Sequence, residues 1–155
     1  MYDTTALWML LDLALSMILG GLIGIERELK DRPAGFRTHT LVAGSAALLV
    51  CIGQSVVNDD RFSNMSNVNV DPLRMVEAVV AGVAFIGAGT IFANRHKNTV
   101  IGITTAASLL IVAVIGIAIG FRYYVLGFGA AALTLIVLSA LQRIERRIAG
   151  KLGEN

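Results

Sequence analysis

Long, nearly uncharged runs alternate along the chain with short clusters of charge, and no other feature constrains its fold as strongly. A helix that crosses the roughly 30 Å hydrocarbon core of a bilayer needs about 20 apolar residues. Runs of that kind fall at about 6–25, 38–57, 72–93, 100–119 and 122–141, and they leave no room for a separate soluble domain in 155 residues. Only 15% of the residues are charged, against roughly 25% in soluble domains. Barrel strands would need about ten residues of apolar/polar alternation, whereas these runs are longer and apolar on every face. The expected fold class is therefore an all-α membrane protein, a bundle of about five transmembrane helices over 1–141, with a basic amphipathic cytoplasmic tail over 142–155. Gaps at 94–99 and 120–121 predict tight hairpins. Asp71-Pro72 reads as an N-cap and first-turn pair for the third helix, and Asn98 or Thr99 as the cap of the fourth.

Orientation follows from the basic residues. Arg27, Lys30, Arg32, Arg37, Arg95, Lys97, Arg143, Arg146, Arg147 and Lys151 fall on one face, against Arg61, Arg74 and Arg122 on the other. Ten against three places the N-terminus outside and the C-terminus in the cytoplasm. The pI near 9.0 is accounted for by this excess without nucleic acid as a partner. In the tail, Leu141, Ile144, Ile148 and Leu152 recur at helical spacing among the arginines, a pattern suited to the anionic inner leaflet and equally to a solvated helix end. Met1-Tyr2-Asp3-Thr4-Thr5 lacks the basic start of a signal peptide, so the first run reads as a retained span. Cys51 is the sole cysteine and has no intrachain disulfide partner.

Two stretches resemble each other. Ile18-Leu19-Gly20-Gly21 leads to Glu26-Arg27 and then to Thr38-His39-Thr40; Phe85-Ile86-Gly87-Ala88 leads to Asn94-Arg95 and then to Thr104-Thr105. Both hairpins would run in the same sense, which fits a parallel repeat of two helical hairpins with the fifth span appended. Shared membrane composition is the competing explanation. Small residues let helix backbones approach closely, so Gly20, Gly24, Gly82, Gly87, Gly89, Thr104 and Thr105 are the expected helix-packing positions. Packing within one chain is the first reading, and formation of a homo-oligomer through such a face is the second.

Acids inside a membrane are costly unless paired, protonated or wetted. Asp12 lies in the first span and Glu77 in the second turn of the third helix. With Ser16, they are the candidate cation-binding or polar membrane site, at an outer mouth from which Asp12, Ser16, Gly20 and Gly24 form a small, polar strip leading inward. The competing reading pairs them with Arg74 or Arg122. At the opposite end Glu26, Arg27, Glu28, Arg37, Thr38 and His39 form a charged cytoplasmic cluster, suited to bracing helix ends or to holding an anion, a phosphate or a partner protein. His39 and His96 stand singly, no Cys/His cluster has metal-ligand spacing, and no GxxxxGK[ST] loop occurs. Nothing points to an enzyme or to a resident cofactor.

Gly20-Gly21-Leu22-Ile23-Gly24-Ile25-Glu26-Arg27-Glu28 and Arg32-Pro33-Ala34-Gly35-Phe36-Arg37-Thr38-His39-Thr40 resemble blocks of the MgtC/SapB family of bacterial membrane proteins. So do Asp71-Pro72-Leu73-Arg74 with Gly82-Val83-Ala84-Phe85-Ile86-Gly87-Ala88-Gly89, and Thr104-Thr105-Ala106-Ala107-Ser108. The blocks occur in order over most of 7–120. The chain departs at Ile101-Gly102, where the family commonly has Arg-Gly, and at Ala78, where it commonly has Gln. The resemblance implies a short, membrane-only member in the bacterial inner membrane. It implies a link to magnesium homeostasis or stress adaptation, exercised through membrane partners such as the ATP synthase. The alternative it carries is a channel or carrier, with Mg2+ as ligand or substrate.

Overall fold

In a bilayer the helices must satisfy their own backbone, and what holds them together is close packing of helix against helix. The computed structural model describes the backbone of residues 2–57, 71–94 and 99–152, and side chains within 4–57, 71–93 and 99–140. Among these residues five helices occur: α1 (Tyr2–Glu28), α2 (Phe36–Val57), α3 (Pro72–Gly89), α4 (Ile103–Gly120) and α5 (Tyr124–Leu152). The first four are long and apolar enough to cross a membrane, and α5 carries a shorter apolar segment, Tyr124–Ala140. The all-α membrane bundle is thus confirmed. The helix of α5 continues through the basic tail to Leu152; the tail side chains, and the stretch 58–70, lie outside the described residues.

The most apolar helix, α4, occupies the centre and packs against the other four. Its run from Ile115 to Gly120 is buried throughout. Helix α1 lies mainly against α2, α3 packs on α2 and α4, and α5 closes over α4 and α1. Leu19, Ile23, Ala43, Ala46, Val50, Leu109, Val112, Ile115 and Ile119 interlock as the core. Glycines set its tightness, Gly20, Gly24, Gly116 and Gly120 all facing α2 or the residue before it. A Cβ at Gly20 would sit 2.6 Å from the Ala43 Cβ and the His39 carbonyl oxygen, and one at Gly116 would fall on the Ala43 carbonyl oxygen. Both α1 and α4 therefore meet α2 backbone to backbone around Ala43. In the second hairpin, Gly87 stands against Ala106, where a Cβ would lie 3.3 Å from its neighbour.

Three expectations are corrected. The third span does not run to residue 93. Helix α3 stops at Gly89, where Thr90 and Ile91 turn their N–H groups back to Gly87 and Ala88, and Phe92–Asn94 (β1) pairs antiparallel with Thr99–Ile101 (β2). Ile91, Phe92, Thr99, Val100 and Ile101 are β-branched or aromatic and suit a pleated ribbon better than a helix end. The cap of α4 is neither Asn98, which lies outside the described residues, nor Thr99, which is in β2. Gly102 takes that place at φ +100°, without a side-chain cap; a side chain there would collide with the Thr90 carbonyl. Finally, Gly82 and Gly89 face open space, because α3 buries only the narrow edge Val79, Val83 and Gly87, and on α4 Thr104 is exposed while its neighbour Thr105 is buried. Asp71 caps α3 as expected, accepting from the Leu73 N–H at 2.9 Å.

Candidate functional site

The buried polar side chains collect at the two ends of the bundle. One face of α1 carries Asp12, Ser16, Leu19, Ile23 and Arg27, each at most 4% exposed, at the three- and four-residue steps of a helix stripe. Asp12 and Arg27 are fifteen residues apart on it, roughly 22 Å.

At the first end the Asp12 carboxylate accepts from the Tyr124 hydroxyl at 2.8 Å and from Arg122 Nε at 3.3 Å. Arg122 reaches it from an unusual backbone position. Helix α4 ends with Tyr123 N–H bonded to the Ala118 carbonyl and Arg122 N–H to Ile119, which is the Schellman arrangement whose left-handed position normally belongs to glycine. Arg122 holds it at φ 62°. Strain of about 1–2 kcal/mol is tolerated where the guanidinium meets a buried acid. Asp12 is therefore a sealed, paired acid. The paired reading fits it, and the strip beneath it faces helix α2: the Ser16 hydroxyl donates to the Ala43 carbonyl at 2.7 Å. Glu77 does not join Asp12. It is exposed on α3, and among the described residues no ion pair links it to Arg74.

At the second end the expected cluster divides. Glu28 accepts from the Phe36 N–H at 2.8 Å, so it caps α2. Thr40 turns its hydroxyl back to the Phe36 carbonyl. Glu26 pairs with Lys30, whose ammonium also donates to the Leu138 carbonyl of α5 at 2.8 Å. Arg37 is exposed and Thr38 half-buried, and among the described residues neither enters the network. Arg27, 3% exposed, donates from Nη2 to the Thr105 hydroxyl at 3.2 Å. His39 is wholly buried, with Nδ1 2.9 Å from the Gly35 carbonyl and Nε2 3.1 Å from Ser108 Oγ. A carbonyl can only accept, so Nδ1 carries the proton, and in the neutral ring Nε2 accepts from Ser108. The same hydroxyl lies 2.8 Å from the Thr105 carbonyl, its alternative acceptor. Arg27, His39, Thr105 and Ser108 thus join the two hairpins. Among the described residues, two buried side-chain atoms, Arg27 Nε and Glu26 Oε2, have no hydrogen-bond partner.

Sequence reasoning did not single out Tyr124, Ser108 or the α5 carbonyl of Leu138. Tyr124 and Ser108 look like ordinary span residues until their neighbours are known; a signal for Tyr124 was its place two residues after Arg122. Among the described residues no group of three or more His, Cys, Asp or Glu side chains converges on a metal position.

The model of the MgtC family matches residues 13–147. YhiD of Escherichia coli (strain K12), named as a candidate magnesium transporter, is 37% identical over 139 residues, covering 90% of this chain and 63% of YhiD. Protein SrpB of Synechococcus elongatus is 38% identical over 140 residues, covering 86% of this chain and 75% of SrpB. Protein SapB of Bacillus subtilis (strain 168) is 36% identical over 140 residues, covering 90% and 59%. The chain therefore spans less than two thirds of YhiD and of SapB. No solved structure matches it.

Proposed function

This chain belongs to the MgtC family, and on that footing we propose that it is a multi-pass protein of the bacterial inner membrane that serves magnesium homeostasis or stress adaptation through membrane partners, without catalysing a reaction or conducting ions itself. One observation carries the non-conducting part: between the Asp12 and Arg27 layers the bundle interior is closed by Leu19, Ile23, Ala43, Ala46, Val112, Ile115 and Ile119, none more than 4% exposed. A conduction path needs a continuous line of polar groups or water through that layer. The magnesium link is supported by YhiD's name. The Arg27 end, with its excess of basic residues, faces the cytoplasm in this reading, and the exposed small residues of α3, Gly82 and Gly89, suit contact with a second copy or with another membrane protein such as the ATP synthase.

The alternative is a magnesium carrier, favoured by that same name. It requires the Asp12–Arg122–Tyr124 contacts to open and expose the acid. The proposal is tested by deleting the gene in its host and comparing growth at limiting and replete magnesium, followed by in-membrane crosslinking of a tagged chain. The expected result is a defect confined to limiting magnesium and restored by the wild-type gene, with a membrane protein crosslinked to it. Equal growth at both levels overturns the magnesium link.

A further inference from the structure

We propose that Arg27 and the first turn of α4 form a binding site for a phosphate-class oxyanion at one end of the bundle.

A guanidinium stays charged at every physiological pH and offers five N–H donors. Arg27 is 3% exposed, and its one described acceptor is a neutral hydroxyl, Thr105 Oγ1. Its Nε is buried without a partner. A buried charge without a counter-charge is strongly unfavourable, yet no carboxylate of the described residues forms an ion pair with it. Glu26, its neighbour in sequence, is near enough to favour that charge, but one of its oxygens goes to Lys30 and the other is buried without a hydrogen bond to Arg27.

What Arg27 touches is itself short of an acceptor. Thr105 lies in the first turn of α4, and the residue at the cap, Gly102, has no side chain to accept from that turn's N–H groups. The start of a helix carries partial positive charge and exposed donors, which favours anions. The starts of α2 and α3 are filled: Glu28 accepts at the start of α2 and Asp71 at the start of α3. Thr38, in the cluster that the sequence offered for an anion, therefore borders an occupied cap. Backbone donors of α4 together with a buried guanidinium call for an acceptor with several oxygens and a net charge, as in a phosphate. Thr104 and Ile101 beside them are exposed, so the turn is open to the surroundings. With α1 crossing about 30 Å of hydrocarbon, Arg27 stands at headgroup depth. The phosphate can therefore come from a lipid headgroup or from the aqueous phase.

The test uses the purified full chain. Binding of inorganic phosphate is measured by calorimetry against chloride at equal ionic strength, and phospholipid retained from anionic vesicles (phosphatidylglycerol) is measured by native mass spectrometry. Wild-type protein is expected to bind one of the two probes, and Arg27→Gln to bind it at least about tenfold more weakly, the loss of a charge-assisted hydrogen bond. Phosphate binding assigns the site to a soluble anion, and lipid retention without phosphate binding assigns it to the headgroup. Should Arg27→Gln not fold, Arg27→Lys keeps the charge but lacks Nε and is expected to bind several-fold more weakly. Neither probe bound by the wild type, or binding unchanged in the folded variant, overturns the site. Both readouts are independent of any magnesium phenotype.

Discussion

Gly116→Ala is expected to loosen the bundle, while the same change at Gly82 leaves it intact. The methyl added at position 116 would land on the Ala43 carbonyl oxygen and within 2.9 Å of the Ala46 Cβ, both parts of the packed face of α2. Backbone cannot swing aside as a side chain can, so α2 and α4 must separate. That separation also strains the Ser16 hydroxyl bond, whose acceptor is the same Ala43 carbonyl. Overpacking of this kind costs about 1–3 kcal/mol, and up to about 1 kcal/mol is recovered because alanine is the better helix former. The lost hydrogen bond adds about 1 kcal/mol, for a net loss of about 1–4 kcal/mol. At Gly82 a Cβ meets nothing within 4 Å, so only the helix gain remains. Thermal unfolding of both variants in the same detergent, followed by circular dichroism, measures the difference. Equal midpoints for the two variants would refute the close approach of α4 to α2.

The other expected outcomes concern the bundle ends. Arg122→Ala leaves Asp12 with Tyr124 alone and costs about 1 kcal/mol, a low figure for a buried carboxylate because the Arg122 side chain is 49% exposed. Arg122→Gly loses the same partner but relieves the φ 62° backbone, so it is expected to be about 1 kcal/mol more stable than the alanine variant; the reverse order in denaturant titration would contradict the assigned backbone strain. Glu28→Ala removes the acceptor at the start of α2 and is expected to cost about 0.5–2 kcal/mol, with Glu28→Asp intermediate, read by the same titration.

Hydropathy and length located the spans well because the bilayer imposes both. The Asp71-Pro72 start was equally plain, since capping chemistry is local. The end of α3 was not: Ile91, Phe92 and Ala93 prolong an apolar run, and hydropathy does not distinguish a helix from a ribbon. Asp12 was conspicuous because an acid in a span demands an explanation, and Arg122 was among the partners considered. Tyr124 was invisible because its role depends on how α4 turns into α5. Gly82, Gly89 and Thr104 share their composition with Gly20, Gly116 and Thr105; only the tertiary arrangement decides which of them face a neighbouring helix. His39 and Arg27 stood out as charges near a helix end, but nothing in the spacing joined them to Thr105 and Ser108 on a helix some 70 residues away.

The most direct measurement is magnesium flux into liposomes that contain the purified chain. A bundle whose polar ends are separated by the buried apolar layer around Ile23, Ala43, Val112 and Ile115 should pass no more magnesium than empty liposomes, in wild type and in Asp12→Asn alike. Saturable magnesium uptake by the wild type that Asp12→Asn abolishes would contradict the sealed bundle and identify Asp12 as part of a transport path.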